Sequence, residues 1–256
     1  MSDMTNRVAL ITGASSGIGS STARAFASEG VRVVLAARRE DLLAKLAAEI
    51  TEAGGDATHV RADVAVATDA ERMVAHAIET YGRLDFAVNN AGVEGAFAPI
   101  VDMPEEEFDR VLAINLKGTF LAMKYEARAM LEGGHGGAIV NVGSVNSFLG
   151  FAGGAAYATS KHGQVALTSS VSAELAPQGI RVNLVCPGVT DTPMHRRVRG
   201  VIGDDAFDGM IERRVHQQRA AHPDEIAATI VFLCSDRASY VTGSTLLADG
   251  GMTLTV

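Results

Sequence analysis

Tyr157, Lys161 and Ser144 have the side-chain types and the spacing that acid–base chemistry requires. Tyr157 and Lys161 are four residues apart, so in a helix they lie on one face and within mutual reach. A free phenol has a pKa of about 10, and a nearby ammonium favours the phenolate and brings the phenol closer to the working pH. Tyr157 is therefore predicted to protonate a developing alkoxide, or to deprotonate an alcohol in the reverse direction.

Ser144 lies thirteen residues before Tyr157 and just past the apolar run 138–142, after Gly143. This run is predicted to be a strand, and ligands of open α/β sheets bind at the carboxyl ends of strands. A hydroxyl at that point can hold a substrate oxygen in line for reaction. Two alternatives stay open, since a serine at a strand end often caps a turn and Tyr-x-x-x-Lys also occurs as a surface pair.

A glycine-rich turn follows the first apolar run of the chain. The turn has the spacing G-x-x-x-G-x-G and leads into a helical stretch. Bare backbone N–H groups and the positive end of a helix can bind a pyrophosphate there, although a tight connection without a ligand remains the alternative. The predicted dinucleotide contacts in this turn are Gly13, Ser15, Ser16, Gly17, Ile18 and Gly19.

The end of the second predicted strand bears on the choice of dinucleotide. An Asp or Glu at this point would bind the ribose hydroxyls of NAD, but the sequence reads Ala36-Ala37-Arg38-Arg39. Two guanidinium groups can instead bind a 2′-phosphate with charge-assisted hydrogen bonds. NADP(H) is thus favoured and NAD(H) remains possible, with two exposed arginines at a helix start as the alternative interpretation.

The elements that must position these residues alternate along the chain. Apolar runs at 8–11, 31–36, 84–88, 138–142 and 182–185 are each followed by a segment with helical periodicity. This alternation predicts an α/β fold with a doubly wound, Rossmann-like parallel sheet that carries helices on both faces. We expect a single domain over residues 1–256, with residues 193–222 as a substrate lid because glycines and charges interrupt the pattern there.

Composition narrows the range of partners. The formal net charge is −8, so there is no basic field to attract nucleic acid. No apolar stretch approaches the roughly 20 residues of a membrane span, and Cys186 and Cys234 are too few for a disulfide scaffold or a thiolate metal site. We expect a cytoplasmic protein that binds no nucleic acid, no membrane and no metal.

In combination, these motifs resemble the short-chain dehydrogenase/reductase family over nearly the whole chain. The resemblance implies about seven strands, a homotetramer and an NAD(P)-dependent oxidoreductase that acts on a carbonyl or secondary alcohol of a small molecule. It also implies a tetrad of Asn115, Ser144, Tyr157 and Lys161. In that tetrad Ser144 anchors the substrate oxygen, Lys161 holds the nicotinamide ribose, and the Asn115 backbone positions a water that links Lys161 to solvent. The matching motifs are residues 12–19, Asp63-Val64, Asn89-Asn90-Ala91-Gly92, Asn115-Leu116-Lys117-Gly118, Ser144, Tyr157 with Lys161, Pro187-Gly188 and Asp249-Gly250-Gly251.

The resemblance also implies further dinucleotide contacts. Asp63 and Val64 match residues that contact the adenine, and Tyr157 and Lys161 face the nicotinamide end. The floor of the site and the loop beside the carboxamide correspond to Asn89, Ala91, Gly92, Pro187, Gly188, Thr190 and Thr192. The basic residue that some NADP-binding members have in the glycine turn is absent, because Ser15 and Ser16 stand there, so Arg38 must recognise the phosphate alone or with Arg39.

Two other functions remain possible on the sequence. A dinucleotide-binding sensor or scaffold would keep the fold without the chemistry, but such a protein is expected to have a broken tetrad. A reductase of activated carbon–carbon double bonds would use the same dinucleotide and protonate carbon. In enoyl reductases that resemble this fold, Tyr and Lys are usually separated more widely than Tyr157 and Lys161, so the spacing favours carbonyl or alcohol chemistry.

Overall fold

A seven-stranded parallel sheet forms the centre of the molecule, in the order β3-β2-β1-β4-β5-β6-β7. The computed structural model describes residues 4–254; residues 1–3 and 255–256, which the predicted domain includes, lie outside this range. The strands are β1 Val8–Thr12, β2 Arg32–Ala37, β3 Ala57–Arg61, β4 Phe86–Asn89, β5 Gly137–Val142, β6 Ile180–Pro187 and β7 Thr245–Ala248. All neighbouring pairs are parallel, which confirms the predicted fold class.

The helices cover both faces of the sheet. They are α1 Gly17–Ser28, α2 Glu40–Glu52, α3 Ala67–Tyr81, α4 Glu105–Leu112, α5 Gly118–Gly133, α6 Ala155–Leu175, α7 Pro193–Ile202, α8 Asp204–Arg214 and α9 Pro223–Cys234. Side chains of α1, α2 and α9 form one core against the sheet, and side chains of α3, α5 and α6 form the other. Because both faces are covered, β1 is buried along its whole length.

The strand order reverses at β1, which pairs with β2 on one side and β4 on the other. The connection that follows β1 therefore runs to one face of the sheet, and the connection that follows β4 runs to the other. This leaves a crevice at the carboxyl ends of β1 and β4, where ligands usually bind in such folds. The glycine turn after β1 and the segment Asn89 to Gly92 after β4 meet at this crevice. The fold thus brings together two motifs that are far apart in sequence.

The predicted lid segment forms α7 and α8, joined at Gly203, whose φ of 88° favours glycine. Phe207 and Ile211 of α8 belong to a small core with Val145, Val189, Val215 and Met252, to which α7 contributes no buried residue. No helix within residues 4–254 is long and apolar enough to cross a membrane.

Candidate active site

The glycine turn after β1 leaves no room for side chains. Gly13 has a φ of +65°, and a Cβ built on it would lie 2.8 Å from both Ala91 Cα and Asn90 Nδ2. A Cβ on Gly19 would lie 2.5 Å from the Gly13 carbonyl oxygen. Contacts this short exclude any larger residue, so the turn presents bare backbone at the start of α1, as a pyrophosphate site requires.

The turn is held in place by Asn90, a residue that the sequence analysis did not select. Its Nδ2 donates hydrogen bonds to the carbonyl oxygens of Thr12, at 3.1 Å, and Gly13, at 3.2 Å. The neighbouring Asn89, predicted to face the dinucleotide, instead turns into the core and donates to Glu126 and Asn141. That prediction for the Asn89 side chain is wrong, because β4 alternates its side chains between the two faces and the motif does not say which face each asparagine takes.

A cleft of about 410 Å³ opens beside this turn, a volume in the range of small-molecule sites. The predicted residues that line it are Gly13, Ser15, Ser16, Gly17, Ile18, Arg38, Arg39, Asp63, Val64, Ala91, Gly92 and Thr192. Four other predicted contacts do not line this cleft. Gly19 lies behind the turn, and the other three lie at or just after the end of β6: Pro187, Gly188 and Thr190. The bare backbone, the two arginines and the mostly polar lining fit a dinucleotide.

Arg38 and Arg39 differ in their contacts. The Arg39 guanidinium donates to the hydroxyls of Ser15 and Ser16, each at 2.8 Å. Within residues 4–254, Arg38 forms no hydrogen bond or ion pair, and its side chain is exposed at the cleft. Arg39 therefore holds the glycine turn, and the Arg38 guanidinium remains available for an anion.

Asn115 lies in a π-helical turn, Ala113–Lys117, between α4 and α5. Such a turn inserts an extra residue into a helix and is frequent at functional sites. Its side chain accepts from Val93 N–H at 2.8 Å and donates to Val93 O at 2.9 Å. A third hydrogen bond, at 3.0 Å, reaches the hydroxyl of Ser160 on α6. Asn115 thus fastens the loop after β4 to the helix that carries Tyr157.

Lys161 is buried in the floor of the site. Its Nζ donates to Val142 O at 2.8 Å and to Gln164 Oε1 at 3.2 Å. A Cβ built on Gly92, in the cleft wall, would lie 3.8 Å from this nitrogen, so Lys161 adjoins the cleft. Burial lowers the pKa of Lys161 to about 8, and the neighbouring Cys186 acts in the opposite direction.

The pKa of Tyr157 moves in the direction opposite to the prediction. Burial raises it to about 12, a hydrogen bond with the Ser144 side chain lowers it, and the charges of Glu94 and Cys186 raise it further. The Lys161 ammonium lies 5.8 Å from the centre of the phenol ring, and it donates to two carbonyl oxygens rather than to the phenol. The expected lowering is therefore wrong for this arrangement, because desolvation of the phenolate dominates and the ammonium is directed at other acceptors.

Ser144 caps a turn and also contacts Tyr157. Its hydroxyl accepts from Asn146 N–H at 3.1 Å and begins the short 3-10 turn Val145–Ser147, so it caps a turn. The same hydroxyl forms the hydrogen bond that lowers the pKa of Tyr157. The carboxyl end of β5 therefore places Ser144 beside the phenol on α6, with Lys161 one turn further along the helix.

Comparisons with known proteins agree with this geometry. A family model described as enoyl-(acyl carrier protein) reductase matches residues 13–253. The A-factor type gamma-butyrolactone 1′-reductase (1S-forming) of Streptomyces virginiae is 41% identical over 98% of this chain and 97% of its own. The chain belongs to the short-chain dehydrogenase/reductase family. It is accordingly an NAD(P)-dependent oxidoreductase that acts on carbonyl or alcohol groups, which confirms the enzymatic interpretation over a sensor or scaffold.

Solved structures of the family superpose closely on the chain. Levodione reductase has a TM-score of 0.95 and 35% identity, and the alignment covers 99% of this chain and all of the other. A variant of actinorhodin polyketide ketoreductase, solved with NADPH, has a TM-score of 0.92 and 38% identity, over 98% of this chain and 99% of its own. The doubly wound sheet and the positions of its helices are therefore those of the family.

In this short-chain dehydrogenase/reductase, the loops after β4 and β5 carry exposed apolar side chains, and an ion pair joins α7 to the loop after β4. Phe97 and Phe151 pack with ring centres 5.8 Å apart, and both rings are partly exposed, as is Phe148. Phe97 was missed because it follows no regular element. On the other side, Arg197 of α7 forms a two-point ion pair with Glu94, in the loop after β4, at 2.6 and 3.1 Å.

The remaining candidates near the site have structural roles. Cys186 is buried and its thiol pKa is raised by desolvation, as expected for an inert thiol. His162 is exposed and hydrogen-bonds through Nδ1 to Ala158 O on its own helix, so it points away from Lys161. Among the described residues, no group of three or more His, Cys, Asp or Glu side chains is arranged to hold a metal ion.

Proposed function

We propose that this enzyme reduces a ketone with NADPH, and that Tyr157 is the proton donor to the carbonyl oxygen. The observation that carries the proposal is the grouping of Ser144, Tyr157 and Lys161 beside a cleft whose wall is bare glycine backbone. NADPH supplies the hydride when it is bound. Residues 13–19, Arg38, Asp63 and Thr192 are assigned to hold it, together with the Gly92 backbone.

The ionisation states support Tyr157 as an acid. A phenol with a pKa of about 12 is fully protonated at neutral pH, so it can give up a proton as negative charge develops on the substrate oxygen. The Ser144 hydroxyl is the second hydrogen-bond donor for that oxygen. Lys161, with a pKa of about 8, is mostly protonated at pH 7, and its charge stabilises the phenolate that proton transfer leaves behind.

Reduction of an activated carbon–carbon double bond is the second candidate, because the matching family model is described as an enoyl-(acyl carrier protein) reductase. The contacts of Ser144 and Tyr157 favour ketones, since both hydroxyls lie together as two donors for one oxygen atom. Incubation with an enone and analysis of the product separate the two reactions. An allylic alcohol supports ketone chemistry, and a saturated ketone supports the alternative.

Preference for NADPH over NADH rests on Arg38. Its guanidinium lies in the cleft without an internal partner among residues 4–254, and no carboxylate stands at the end of β2. A guanidinium binds the 2′-phosphate with two charge-assisted hydrogen bonds. Replacement of Arg38 by Ala should raise the KM for NADPH by about tenfold to a hundredfold and leave the KM for NADH nearly unchanged. Equal losses with both dinucleotides would contradict this role.

The substrate is proposed to be a ketone with an apolar body. Phe97, Phe148 and Phe151 are exposed in the loops after β4 and β5, and the similar proteins include a gamma-butyrolactone reductase, levodione reductase and a polyketide ketoreductase. The segment 193–222 is proposed to be the lid over this substrate, because α7 reaches the loop after β4 through the Glu94–Arg197 pair.

We also propose a cytoplasmic homotetramer. The outer faces of α5 and α6 support the assembly, because Phe120 and Leu131 are exposed there around a shallow groove with Val171, and closed symmetric oligomers bury such faces. Light scattering at micromolar concentration tests the assembly, and a monomeric mass would reject it.

The decisive experiment measures oxidation of NADPH and NADH by a panel of ketones, with the wild type and the variant Tyr157→Phe. The variant keeps the ring and removes the hydroxyl, so it should bind NADPH normally and lose about a hundredfold to ten-thousandfold in kcat. Calorimetric titration with NADPH verifies binding. Wild-type-like turnover by Tyr157→Phe would refute the assignment of Tyr157 as the acid.

A further inference from the structure

Gln164 is a buried polar residue that lies directly behind Lys161. It follows Lys161 by three residues on α6, so the two side chains share a helix face, and its relative exposure is 0%. A buried amide is costly unless its donors and acceptor are all hydrogen-bonded. Neither the sequence motifs nor the proposed mechanism assigns a role to this residue.

The Gln164 side chain connects Lys161 to the π-helical turn. Its Oε1 accepts a hydrogen bond from Lys161 Nζ at 3.2 Å. Its Nε2 donates to Asn115 O at 2.8 Å and to Thr119 Oγ1 at 2.9 Å, and Thr119 Oγ1 itself donates to Asn115 O at 2.8 Å. Every bond in this chain has a donor facing an acceptor, so the orientation of the amide is determined by its neighbours.

The Asn115 carbonyl oxygen therefore accepts hydrogen bonds from two side chains, those of Gln164 and Thr119. The family resemblance assigns a water molecule to this carbonyl, as the link between Lys161 and solvent. In this chain the Gln164 amide connects Lys161 to the same carbonyl directly, through its own oxygen and nitrogen.

We propose that Gln164 is a positioning residue, which holds the Lys161 ammonium for the proton step. It acts through Lys161, because its polar atoms are occupied by Lys161, Asn115 and Thr119. A carbonyl dipole that accepts from an ammonium favours its protonated form. This inference rests on the proposed function for its kinetic consequences only.

Few charged or titratable groups compete with Gln164 for Lys161. Tyr157 lies on the same helix, with its ring centre 5.8 Å from Nζ, and Cys186 faces Lys161 from β6.

The charged groups on the neighbouring elements already have partners. Glu94, in the loop after β4, acts on Tyr157 and is paired with Arg197. Arg110 of α4 is paired with Glu107, and Glu126 of α5 hydrogen-bonds to Asn89. The amide oxygen of Gln164 and Val142 O are thus the acceptors that fix the ammonium.

Two variants of nearly the same size change this contact in opposite directions. Gln164→Leu removes the acceptor and should lower the pKa of Lys161 by about one unit, so that a larger fraction of the enzyme is inactive at pH 8. Gln164→Glu adds a carboxylate beside Nζ and should raise the pKa by at least about one unit. Ser172→Ala is the matched control, since Ser172 is also a buried polar residue of α6 but bonds to Thr242, away from the site.

The pKa of Lys161 can be measured without turnover. Lys45, Lys117, Lys124 and Lys161 are the lysines of the chain, so NMR titration of protein labelled with ¹³C at the lysine ε-carbon resolves each one, and Lys161→Met identifies its signal. The kinetic counterpart is the pH dependence of kcat for ketone reduction. Its alkaline limb should move down in Gln164→Leu and up in Gln164→Glu, with kcat of the Leu variant at pH 7 reduced about tenfold.

The outcomes separate this inference from the proposed function. Opposite pKa shifts in the two variants, with none in Ser172→Ala, support the inference even if no ketone is reduced. If Lys161 titrates in Gln164→Glu as it does in the wild type, the inference is overturned. This test applies even if Gln164→Leu does not fold. Loss of stability in Gln164→Leu with an unchanged pH profile would also overturn it, because a merely structural residue would behave in that way.

Discussion

The floor of the site and the proposed lid are held by different kinds of interaction. Beneath the site, Asn115, Lys161 and Gln164 are almost completely buried, and their polar side-chain atoms bond to one another, to backbone or to the hydroxyls of Ser160 and Thr119. In the lid, α7 has no buried residue. Its arginines are instead fixed by ion pairs in which the guanidinium groups stay exposed, and these arginines are Arg196, Arg197 and Arg199.

The two regions therefore differ in how firmly their geometry is fixed. A buried hydrogen bond that is broken leaves a partner unsatisfied, at a cost of about 1–3 kcal/mol, so the floor has one favourable arrangement. An exposed ion pair contributes roughly 0–1 kcal/mol, so the lid can exchange partners cheaply. The proposed proton-transfer residues thus lie in the rigid region, and α7 of the proposed lid lies where rearrangement is tolerated. The following predictions test that contrast.

The largest effect is expected from Lys161→Met, which removes the ammonium and keeps most of the side-chain volume. Without the charge, the phenolate left on Tyr157 is not stabilised, and we expect kcat for ketone reduction to fall by about 10²- to 10⁴-fold. Steady-state kinetics with the substrate identified in the ketone panel provides the measurement. Lys45→Met, on the exposed surface of α2, is the control, and a similar kcat for both variants would contradict the role of Lys161.

The next largest effect concerns Asn115→Ala. The substitution removes two hydrogen bonds to the Val93 backbone and one to Ser160. Because the Val93 N–H and carbonyl lose their partners, we expect the free energy of unfolding to fall by about 2–3 kcal/mol. Urea denaturation gives this value. A loss below about 0.5 kcal/mol, which is typical of a surface substitution, would mean that the floor is less rigid than its contacts indicate.

The residues of the site that could be predicted from the sequence are those with a regular spacing. Ser144, Tyr157, Lys161 and the glycine turn were predicted because their spacings match motifs with a chemical use, whereas Asn115 was implied by the family resemblance alone. Gln164 and Ser160 were missed, although both lie on the helix of Tyr157 and Lys161, because a polar residue on a helix is usually exposed. Only the packing of α6 on the π-helical turn reveals that these two side chains are buried.

Whether a strand could be predicted from the sequence depends on how deeply it is buried in the sheet. The five apolar runs of the sequence are the five central strands, β1, β2, β4, β5 and β6. The two strands that no apolar run predicted, Ala57–Arg61 and Thr245–Ala248, are the edges of the sheet. Their residues are mostly half-buried, so they lack the continuous hydrophobicity of strands covered on both faces. Only the family resemblance, with its seven strands, implied them.

The buried carboxyl of Glu126, which hydrogen-bonds to Asn89, makes the stability of the buried polar region beneath the site depend on pH. Burial raises the pKa of this carboxyl from its ordinary value of 4.5 to about 8, so the folded state holds a proton that the unfolded state releases. The contribution of Glu126 to stability is therefore present below pH 4.5 and lost as the pH rises towards 8. Relative to wild type, Glu126→Gln should gain about 1 kcal/mol per pH unit between roughly pH 6 and 8.

Urea unfolding at several pH values in that range checks this prediction. Asp102→Asn, at an exposed position before α4, serves as a control for removal of one carboxylate. If wild type and Glu126→Gln show the same slope of unfolding free energy with pH, the carboxyl is ionised in the folded protein, and the floor must contain a compensating donor.

The smallest effect should come from the lid. Arg197→Ala breaks the ion pair with Glu94, and because the arginine side chain is largely exposed, we expect a stability loss below about 1 kcal/mol. The pair nevertheless joins α7 to the loop that carries Gly92 and Val93, so its loss should let the lid open more often. We expect the KM for the ketone to change by about threefold and kcat to stay within about twofold of the wild-type value. Arg213→Ala, on the exposed side of α8, should change neither.

Limited proteolysis provides a second measurement of the lid. Cleavage within residues 193–222 should become faster in Arg197→Ala and slow again when NADPH and the ketone are added, because ligands stabilise the closed arrangement. A large fall in kcat without faster cleavage would place Arg197 in the rigid floor rather than in the lid. The difference in rigidity between the floor and the lid would then not hold at Arg197, where the two regions meet.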